Sequence, residues 1–261
     1  MIYRTGCSGW SYDFWKGKIY DYSESPSNYL RDYARIFDTV EIDSTFYAAQ
    51  SQETVEKWAS SVPENFLFSP KMPRKITHEF RLERCEDDLA YFMKNISLLN
   101  NRLGTVLIQL PPDFPFNTGV LENFIELLPN NIKYAIEFRH PSWFIDEVYG
   151  ILRKSGITMA WSVLDYIKTP EIKTTENLYV RFLGNKSLEK KDLGEIRINR
   201  HGEIEQWVGK IKKQDSGQGT VFIYANNHYE GLSPDTIKFI RHELGLPTTG
   251  NMLMDRQKKL F

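Results

Sequence analysis

Short apolar runs alternate along the chain with stretches in which apolar residues recur every three or four positions. Runs of about five apolar or β-branched residues are typical of buried strands, and a period near 3.6 is typical of amphipathic helices. The helical period is clear in segments 89–99, 121–128 and 204–211. The runs predict eight strands, at residues 2–6, 39–43, 66–71, 105–110, 134–138, 158–162, 178–182 and 220–225.

Strands that alternate with helices predict parallel pairing and right-handed crossovers. Eight such units in about 250 residues match a closed (β/α)₈ barrel of the TIM type. Between the sixth and seventh strands, Thr169-Pro170 and Thr174-Thr175 indicate a loop, so the helix there is expected to be irregular or missing. An open doubly wound sheet is the competing architecture. No Gly-x-Gly-x-x-Gly follows the first strand, which disfavours a dinucleotide-binding sheet, and we expect no nicotinamide or flavin cofactor.

The composition narrows the class of protein further. The 33 Lys and Arg residues nearly balance the 34 Asp and Glu residues, so anion binding would need a local patch rather than the overall charge. Two cysteines exclude a disulfide scaffold and a zinc knuckle. The first residues lack a signal-peptide pattern and no apolar run reaches membrane-spanning length. We expect a single cytoplasmic domain, with its core at about 3–245 and a polar tail at 250–261.

Polar side chains end most of the predicted strands. Because side chains alternate across a strand, Val40 and Ile42 should face the helices while Glu41 points into the barrel. The same phasing places these residues inside, near the C-terminal strand ends: Glu41, Asp43, Lys71, Gln109, Glu137, Arg139, Arg181 and Asn226. Barrel enzymes build their active sites at that end. The sequence therefore predicts a polar pocket there.

The charges in this pocket favour an anionic ligand. Three basic side chains converge on it, and Arg can hold phosphate, sulfate or carboxylate in a bidentate way. Glu41 or Glu137 is then the candidate for proton transfer. The alternative is an internal salt-bridge network of the same three acidic and three basic side chains, with no ligand, since buried charges are costly unless paired.

Three histidines, His78, His140 and His228, follow predicted strands on the active-site side. We assign His140 to catalysis together with Glu41 and Glu137. A divalent metal bound by those two glutamates and the three histidines is a further alternative, although their spacing contains no short metal motif. The sequence does not decide whether the pocket holds a divalent metal.

The first predicted strand-to-helix loop is rich in aromatic residues. Trp10, Tyr12 and Trp15 are interleaved with glycine and lysine, a composition that suits stacking on a sugar or a base. The alternative is a lid that buries the aromatic rings over the barrel end. We assign substrate binding to Trp10, Tyr12, Trp15, Asp43, Tyr47, Lys71, His78, Gln109, Arg139, Trp143, Arg181, Asn226 and His228.

Eight ordered segments between about Tyr3 and Gly245 carry a family resemblance. They are Gly9-Trp10-x-Tyr12-x-x-Trp15-x-Gly17, Val40-Glu41-Ile-Asp-x-Thr45-Phe-Tyr47, Phe68-x-x-Lys71, Thr77-His78, Leu107-x-Gln109-Leu-Pro-Pro112, Glu137-Phe-Arg-His-Pro-Ser-Trp143, Tyr179-Val-Arg181 and Asn226-Asn227 leading to Gly231. Together they resemble the YecE-like proteins, also called Domain of Unknown Function 72. The resemblance implies a TIM-type barrel and a pocket, without an established activity. Leu183 stands where the commoner family pattern has histidine, so a mechanism resting on that histidine cannot apply.

Three functions stay open. The first, which we favour, is an enzyme of the hydrolase or isomerase type acting on a phosphate-bearing sugar, a nucleotide or a nucleic acid; the family barrel looks like that of metal-dependent abasic-site nucleases and sugar isomerases. The second is a non-catalytic nucleic-acid or clamp-associated binding module, because Gln257, Leu260 and Phe261 resemble a sliding-clamp docking peptide. The third is a sugar-binding or isomerising barrel that needs no phosphate.

Overall fold

Eight parallel strands form a closed barrel in the structure, a computed structural model that describes residues 1–184 and 187–248. A ninth, two-residue strand lies outside the ring. The strands are β1 Ile2–Cys7, β2 Thr39–Ile42, β3 Leu67–Pro70, β4 Thr105–Gln109, β5 Lys133–Glu137, β6 Thr158–Leu164, β7 Ile167–Lys168, β8 Leu178–Phe182 and β9 Thr220–Ala225. The ends of the eight predicted strands differ from these by no more than two residues.

Backbone hydrogen bonds close the ring. Six strands pair in the order β1-β9-β8-β6-β5-β4, and β2 pairs with β3 in parallel. The N–H of Gly9 donates to the carbonyl of Glu41 at 2.8 Å and joins the first strand to the second. The N–H of Met72 donates to the carbonyl of Leu107 at 2.8 Å and joins the third strand to the fourth. The predicted TIM-type barrel is confirmed, and the open doubly wound sheet is not the fold.

Nine α-helices lie in the described part of the chain. They are α1 Tyr29–Tyr33, α2 Ser44–Tyr47, α3 Gln52–Ser60, α4 Glu86–Ile96, α5 Thr118–Glu126, α6 Asp146–Ser155, α7 His201–Lys213, α8 Asn227–Glu230 and α9 Ser233–Leu244. Short 3₁₀ segments lie at Asp13–Trp15, Pro26–Asn28, Ser97–Arg102, Pro141–Trp143 and Lys190–Asp192, and a π turn lies at Lys75–Glu79. Among the described residues, no helix has the length and apolar character that crossing a membrane requires.

The connection from β6 to β8 contains no helix, as predicted, and all of its residues are described. Instead, β7 folds back antiparallel on β6. The hydroxyl of Thr174 donates to the carbonyl of Ile157 at 2.7 Å and accepts from the N–H of Met159 at 2.8 Å. Through these bonds, Thr174 satisfies backbone groups at the start of β6 and holds the segment against that strand.

Apolar side chains form two layers separated by the strands. The outer layer, between strands and helices, includes Val40, Ile42, Ile136 and Phe138 on the faces predicted from the alternation. The inner layer fills the barrel below the C-terminal strand ends and consists of Leu107, Ala135, Ala160, Tyr179, Phe222 and Tyr224. The next inward residue on several strands is polar, and these polar residues form the floor of the site.

Candidate functional site

A cavity of about 790 Å³ opens at the C-terminal ends of the barrel strands. Its volume lies within the range of small-molecule pockets. Ten of the thirteen predicted substrate-binding residues line it: Tyr12, Asp43, Tyr47, Lys71, His78, Gln109, Arg139, Arg181, Asn226 and His228. Six of these ten are residues that the strand phasing placed inside the barrel: Asp43, Lys71, Gln109, Arg139, Arg181 and Asn226.

Arg181 on β8 occupies the floor of the cavity and binds two glutamates. Its Nε donates to Glu41 Oε2 at 2.8 Å and its Nη2 donates to Glu41 Oε1 at 2.6 Å, which is a bidentate pair. Its Nη1 donates to Glu137 Oε2. Glu41 also accepts from the hydroxyl of Ser8 at 2.9 Å and from that of Tyr179 at 2.8 Å. Both glutamates are fully buried.

Glu137 is held ionised by two guanidinium groups. Arg139 Nε donates to Glu137 Oε1 at 2.5 Å, so each carboxylate oxygen accepts from a different arginine. Burial by itself would raise the pKa of Glu137, but Arg139 and Arg181 outweigh burial and hold this pKa well below its usual range. A carboxylate that is held ionised in this way has no proton to donate and is a weak base. The internal salt-bridge network that the sequence left as an alternative is present among these four side chains.

Lys71 and Asp43 form a separate pair that faces the cavity. The Lys71 ammonium lies 3.8 Å from Asp43 Oδ1, an ion-pair distance rather than a hydrogen bond. It also lies 3.9 Å from the centre of the Phe46 ring. Burial lowers the pKa of Lys71, Asp43 opposes this effect, and the positive charge of Arg181 adds to it. Lys71 is therefore less firmly protonated than an ordinary lysine.

His78 is a neutral imidazole at the cavity wall. The Gln109 side-chain amide donates to His78 Nε2 at 3.3 Å, and Thr77 Oγ1 lies 2.8 Å from His78 Nδ1. Since Nε2 accepts, the hydrogen-bond network assigns the ring proton to Nδ1. Burial, together with the charges of Lys71 and Arg74, lowers the pKa of His78 to about 4. The ring can accept a proton or a hydrogen bond at neutral pH.

The other two predicted histidines are placed differently. His140 Nδ1 lies 2.7 Å from Ser142 Oγ and accepts from the Ser142 N–H, so His140 caps the short turn Pro141–Trp143. It does not belong to the cavity lining. His228 does line the cavity, and its Nδ1 donates to the Leu188 carbonyl at 3.1 Å. None of Glu41, Glu137 and His140 belongs to the cavity lining. Their assignment to catalysis stays a prediction.

The three tryptophans assigned to stacking pack inside the protein instead. The Trp15 ring is fully buried and its Nε1 donates to Asn227 Oδ1 at 3.2 Å. Trp143 is fully buried and stacks on Phe138 with ring centres 4.8 Å apart. Trp10 is partly buried and meets Trp58 edge to face. A large ring stabilises the core most when it is buried and its indole N–H has a hydrogen-bond acceptor. This packing corresponds to the alternative in which the aromatic residues form a lid over the barrel end.

Sequence reasoning missed several residues that the structure brings to the cavity. Arg74, the residue just before the π turn, lines it, and no period or motif of the sequence marked this position. Tyr166 lines it from the β6–β7 hairpin, which no helical or strand period marked. Leu183 also lines it, so the position that is histidine in the commoner family pattern presents an apolar side chain.

The described residues contain no group of three or more His, Cys, Asp or Glu side chains placed to hold a metal ion. The oxygens of Glu41 and Glu137 already accept from arginine. A divalent metal therefore stays a prediction. The clamp-docking residues Gln257, Leu260 and Phe261 lie outside the described residues.

The family model described as "Protein of unknown function DUF72" matches residues 4–259. The chain is 29% identical to the UPF0759 protein YunF of Bacillus subtilis (strain 168) over the whole of both chains. It is 36% identical to the UPF0759 protein YecE of Escherichia coli (strain K12) over 116 residues, which span 44% of this chain and 43% of that protein. The crystal structure of a DUF72 family protein from Thermotoga maritima MSB8 superposes with a TM-score of 0.81 at 26% identity, covering 94% of this chain and 100% of the other.

Proposed function

The chain belongs to the DUF72 family of proteins of unknown function, and we propose that it is an enzyme that binds a small anionic substrate, such as a sugar phosphate or a nucleotide, in the cavity at the C-terminal strand ends. In barrels of this type, loops and strand ends on that face supply the reacting groups. The proposal rests on the charges that line the cavity and on the neutral groups beside them.

The main support for an anionic substrate is the charge of the side chains that line the cavity. Arg181 and Arg139 together balance Glu41 and Glu137, which are fully buried beneath the cavity. Lys71 and Arg74 line the cavity with these two arginines, and Asp43 is the one carboxylate among the described lining residues. A surplus of positive side chains within one pocket favours a negative ligand even when the whole chain has a formal net charge of -1.

Two features favour catalysis over simple binding. His78 is neutral, and its Nε2, which accepts only a long hydrogen bond of 3.3 Å from Gln109, can accept a hydrogen bond from a bound substrate. Asp43 and Lys71 lie close enough to exchange a proton with each other through a small movement or one water molecule. A pocket that places a base, an acid and cations around one ligand satisfies the requirements for acid–base chemistry on an anion.

A ligand panel followed by thermal unfolding tests the proposal. Inorganic phosphate and glucose 6-phosphate should stabilise the protein, by about 2.7 kcal/mol at 100 times the dissociation constant, whereas glucose should not. Arg139→Gln and Arg74→Gln should each weaken binding about 10- to 100-fold, since each removes a charge-assisted contact. Arg74 pairs with Glu79 at the surface, so its loss should leave folding intact.

Arg153→Gln is the matched control, because Arg153 is exposed in the last turn of α6 and does not line the cavity. This variant should bind phosphate like the wild type. Equal stabilisation by glucose and glucose 6-phosphate would favour the sugar barrel without phosphate. Absence of any shift with both phosphate probes would overturn the anion proposal.

A further inference from the structure

Lys71 is the buried lysine of the described part of the chain. It directly follows β3, with 7% of its surface exposed, and its side chain reaches the cavity. The nearest carboxylate oxygen, Asp43 Oδ1, is 3.8 Å away. A buried ammonium is costly unless it is fully paired, and this one has a single long ion pair. The arrangement is better suited to an amine that reacts than to an ammonium that only stabilises the fold.

The surroundings of Lys71 lower its pKa and confine its side chain. Burial lowers the pKa of this lysine, and the neighbouring guanidinium groups of Arg181 and Arg139 act in the same direction, whereas the carboxylates of Asp43 and Glu41 oppose them. Desolvation and nearby cations are the two means by which proteins activate a lysine as a nucleophile. The Phe46 ring, 3.9 Å from Nζ, confines the end of the side chain on one side.

We propose that Lys71 forms an imine with the carbonyl group of an anionic aldehyde or ketone bound in the cavity. This inference rests on the proposed function, because Arg139 and Arg74 would hold the anionic group of the same molecule. Asp43 first accepts one proton from the ammonium, and the neutral Lys71 Nζ then adds to the carbonyl carbon. The carbonyl oxygen leaves as water with the proton that Asp43 returns and one of the two amine hydrogens, and the other hydrogen stays on the protonated imine. Nothing is oxidised or reduced, and water reverses the step.

Borohydride trapping with pyridoxal 5′-phosphate tests the inference. This probe carries an aldehyde and a phosphate, and hydride addition converts its imine into a stable secondary amine that peptide mass spectrometry can locate. We expect Lys71 to be labelled about tenfold or more faster than the exposed Lys75, since a bound phosphate holds the aldehyde beside the amine. Inorganic phosphate should slow the labelling of Lys71 and leave that of Lys75 unchanged.

Two variants and a second probe complete the test. Lys71→Arg keeps the positive charge but cannot form an imine, so it should lose the fast label while keeping the wild-type melting temperature. Lys75→Arg should keep the label on Lys71. Pyridoxal has the same aldehyde without the phosphate and should label Lys71 more slowly than the phosphorylated probe does.

The outcomes separate the two proposals. If phosphate stabilises the wild-type protein but Lys71 is labelled no faster than Lys75, the imine inference is wrong and the anion site stands. If both probes label Lys71 equally fast and phosphate gives no protection, the amine is reactive but the anion site is wrong. Slow labelling of Lys71 together with no phosphate stabilisation would overturn both.

Discussion

Arg181 joins the two buried glutamates of the barrel into one hydrogen-bonded unit. Together with Arg139 it supplies two positive charges for the two negative charges of Glu41 and Glu137. Desolvating four charges is expensive, and their mutual attraction compensates for this cost only while the geometry is complete. Replacing one of these four side chains should therefore lower the free energy of unfolding by more than the ion pair itself contributes, because a buried charge is left without a partner.

Arg181→Met is expected to lower the free energy of unfolding by about 3–5 kcal/mol, the usual cost of breaking a buried ion pair. Urea denaturation measures it. The comparison variant is Lys191→Met, because Lys191 pairs with Glu189 at 2.8 Å while both side chains are mostly exposed. That substitution should change stability by less than about 1 kcal/mol. Similar losses in the two variants would contradict a structural role for Arg181.

The sequence alone could place the site residues on the correct face but not assign their partners. Alternation along β5 places Glu137 inside the barrel. Its oxygens could face either a ligand or an arginine. The outcome depends on how far the side chains of Arg181, on β8, and Arg139, just after β5, extend, and the hydrophobic period and the residue spacing of the sequence do not contain that information. The same limit applies to Trp15, whose indole finds Asn227 212 positions away along the chain.

Elements with a strong pattern were predictable and elements without one were not. Strands such as β4, β6, β8 and β9 are runs of mostly apolar residues that are buried on both faces, which is a strong signal. The absent helix after β6 followed from residues that disfavour helices at Thr169-Pro170. The two-residue strand β7 is too short to produce any period, so the hairpin that brings Tyr166 to the cavity could not be foreseen.

The contact between β1 and β2 depends on a residue without a side chain. A Cβ atom at Gly6 would collide with the carbonyl oxygen of Thr39 and lie 2.8 Å from the hydroxyl of Tyr33. Gly6→Ala is therefore expected to reduce stability by at least about 1–3 kcal/mol, the cost of overpacking a core. The melting temperature and urea midpoint measure this effect.

Gly150→Ala gives the matched comparison for that substitution. Gly150 lies within α6, and apart from its chain neighbours and the nearby backbone of the same helix, no described atom comes within 4 Å of the position of its Cβ. Alanine there should increase stability by about 0.5–1 kcal/mol, because glycine loses more conformational freedom in a helix. If both variants shift the melting temperature in the same direction, the close approach at Gly6 is not what limits the packing of β1 against β2.

For the whole molecule, the near-zero net charge conceals a separation of charge in space. The sequence places three acidic and three basic side chains at the strand ends. In the structure, both glutamates lie below the cavity and are bound to Arg181 on its floor, and Arg74 joins Lys71 and Arg139 in the lining. Counting charges along a chain cannot show this division, because it depends on depth within the barrel.

His78 makes the stability of the whole molecule depend on pH above the range in which carboxylates titrate. Burial, with Lys71 and Arg74 nearby, lowers the pKa of His78 to about 4 in the folded protein, whereas an unfolded chain binds this proton near about 6.5. Between these values the unfolded state binds more protons, so the free energy of unfolding falls as the pH falls.

We therefore expect urea denaturation from about pH 7 to about pH 5 to show a steeper loss of the free energy of unfolding for the wild type than for His78→Gln, whose side chain does not titrate. Parallel curves for the two proteins would show that His78 is protonated as easily in the folded chain as in the unfolded one, and would remove it as the neutral base of the cavity.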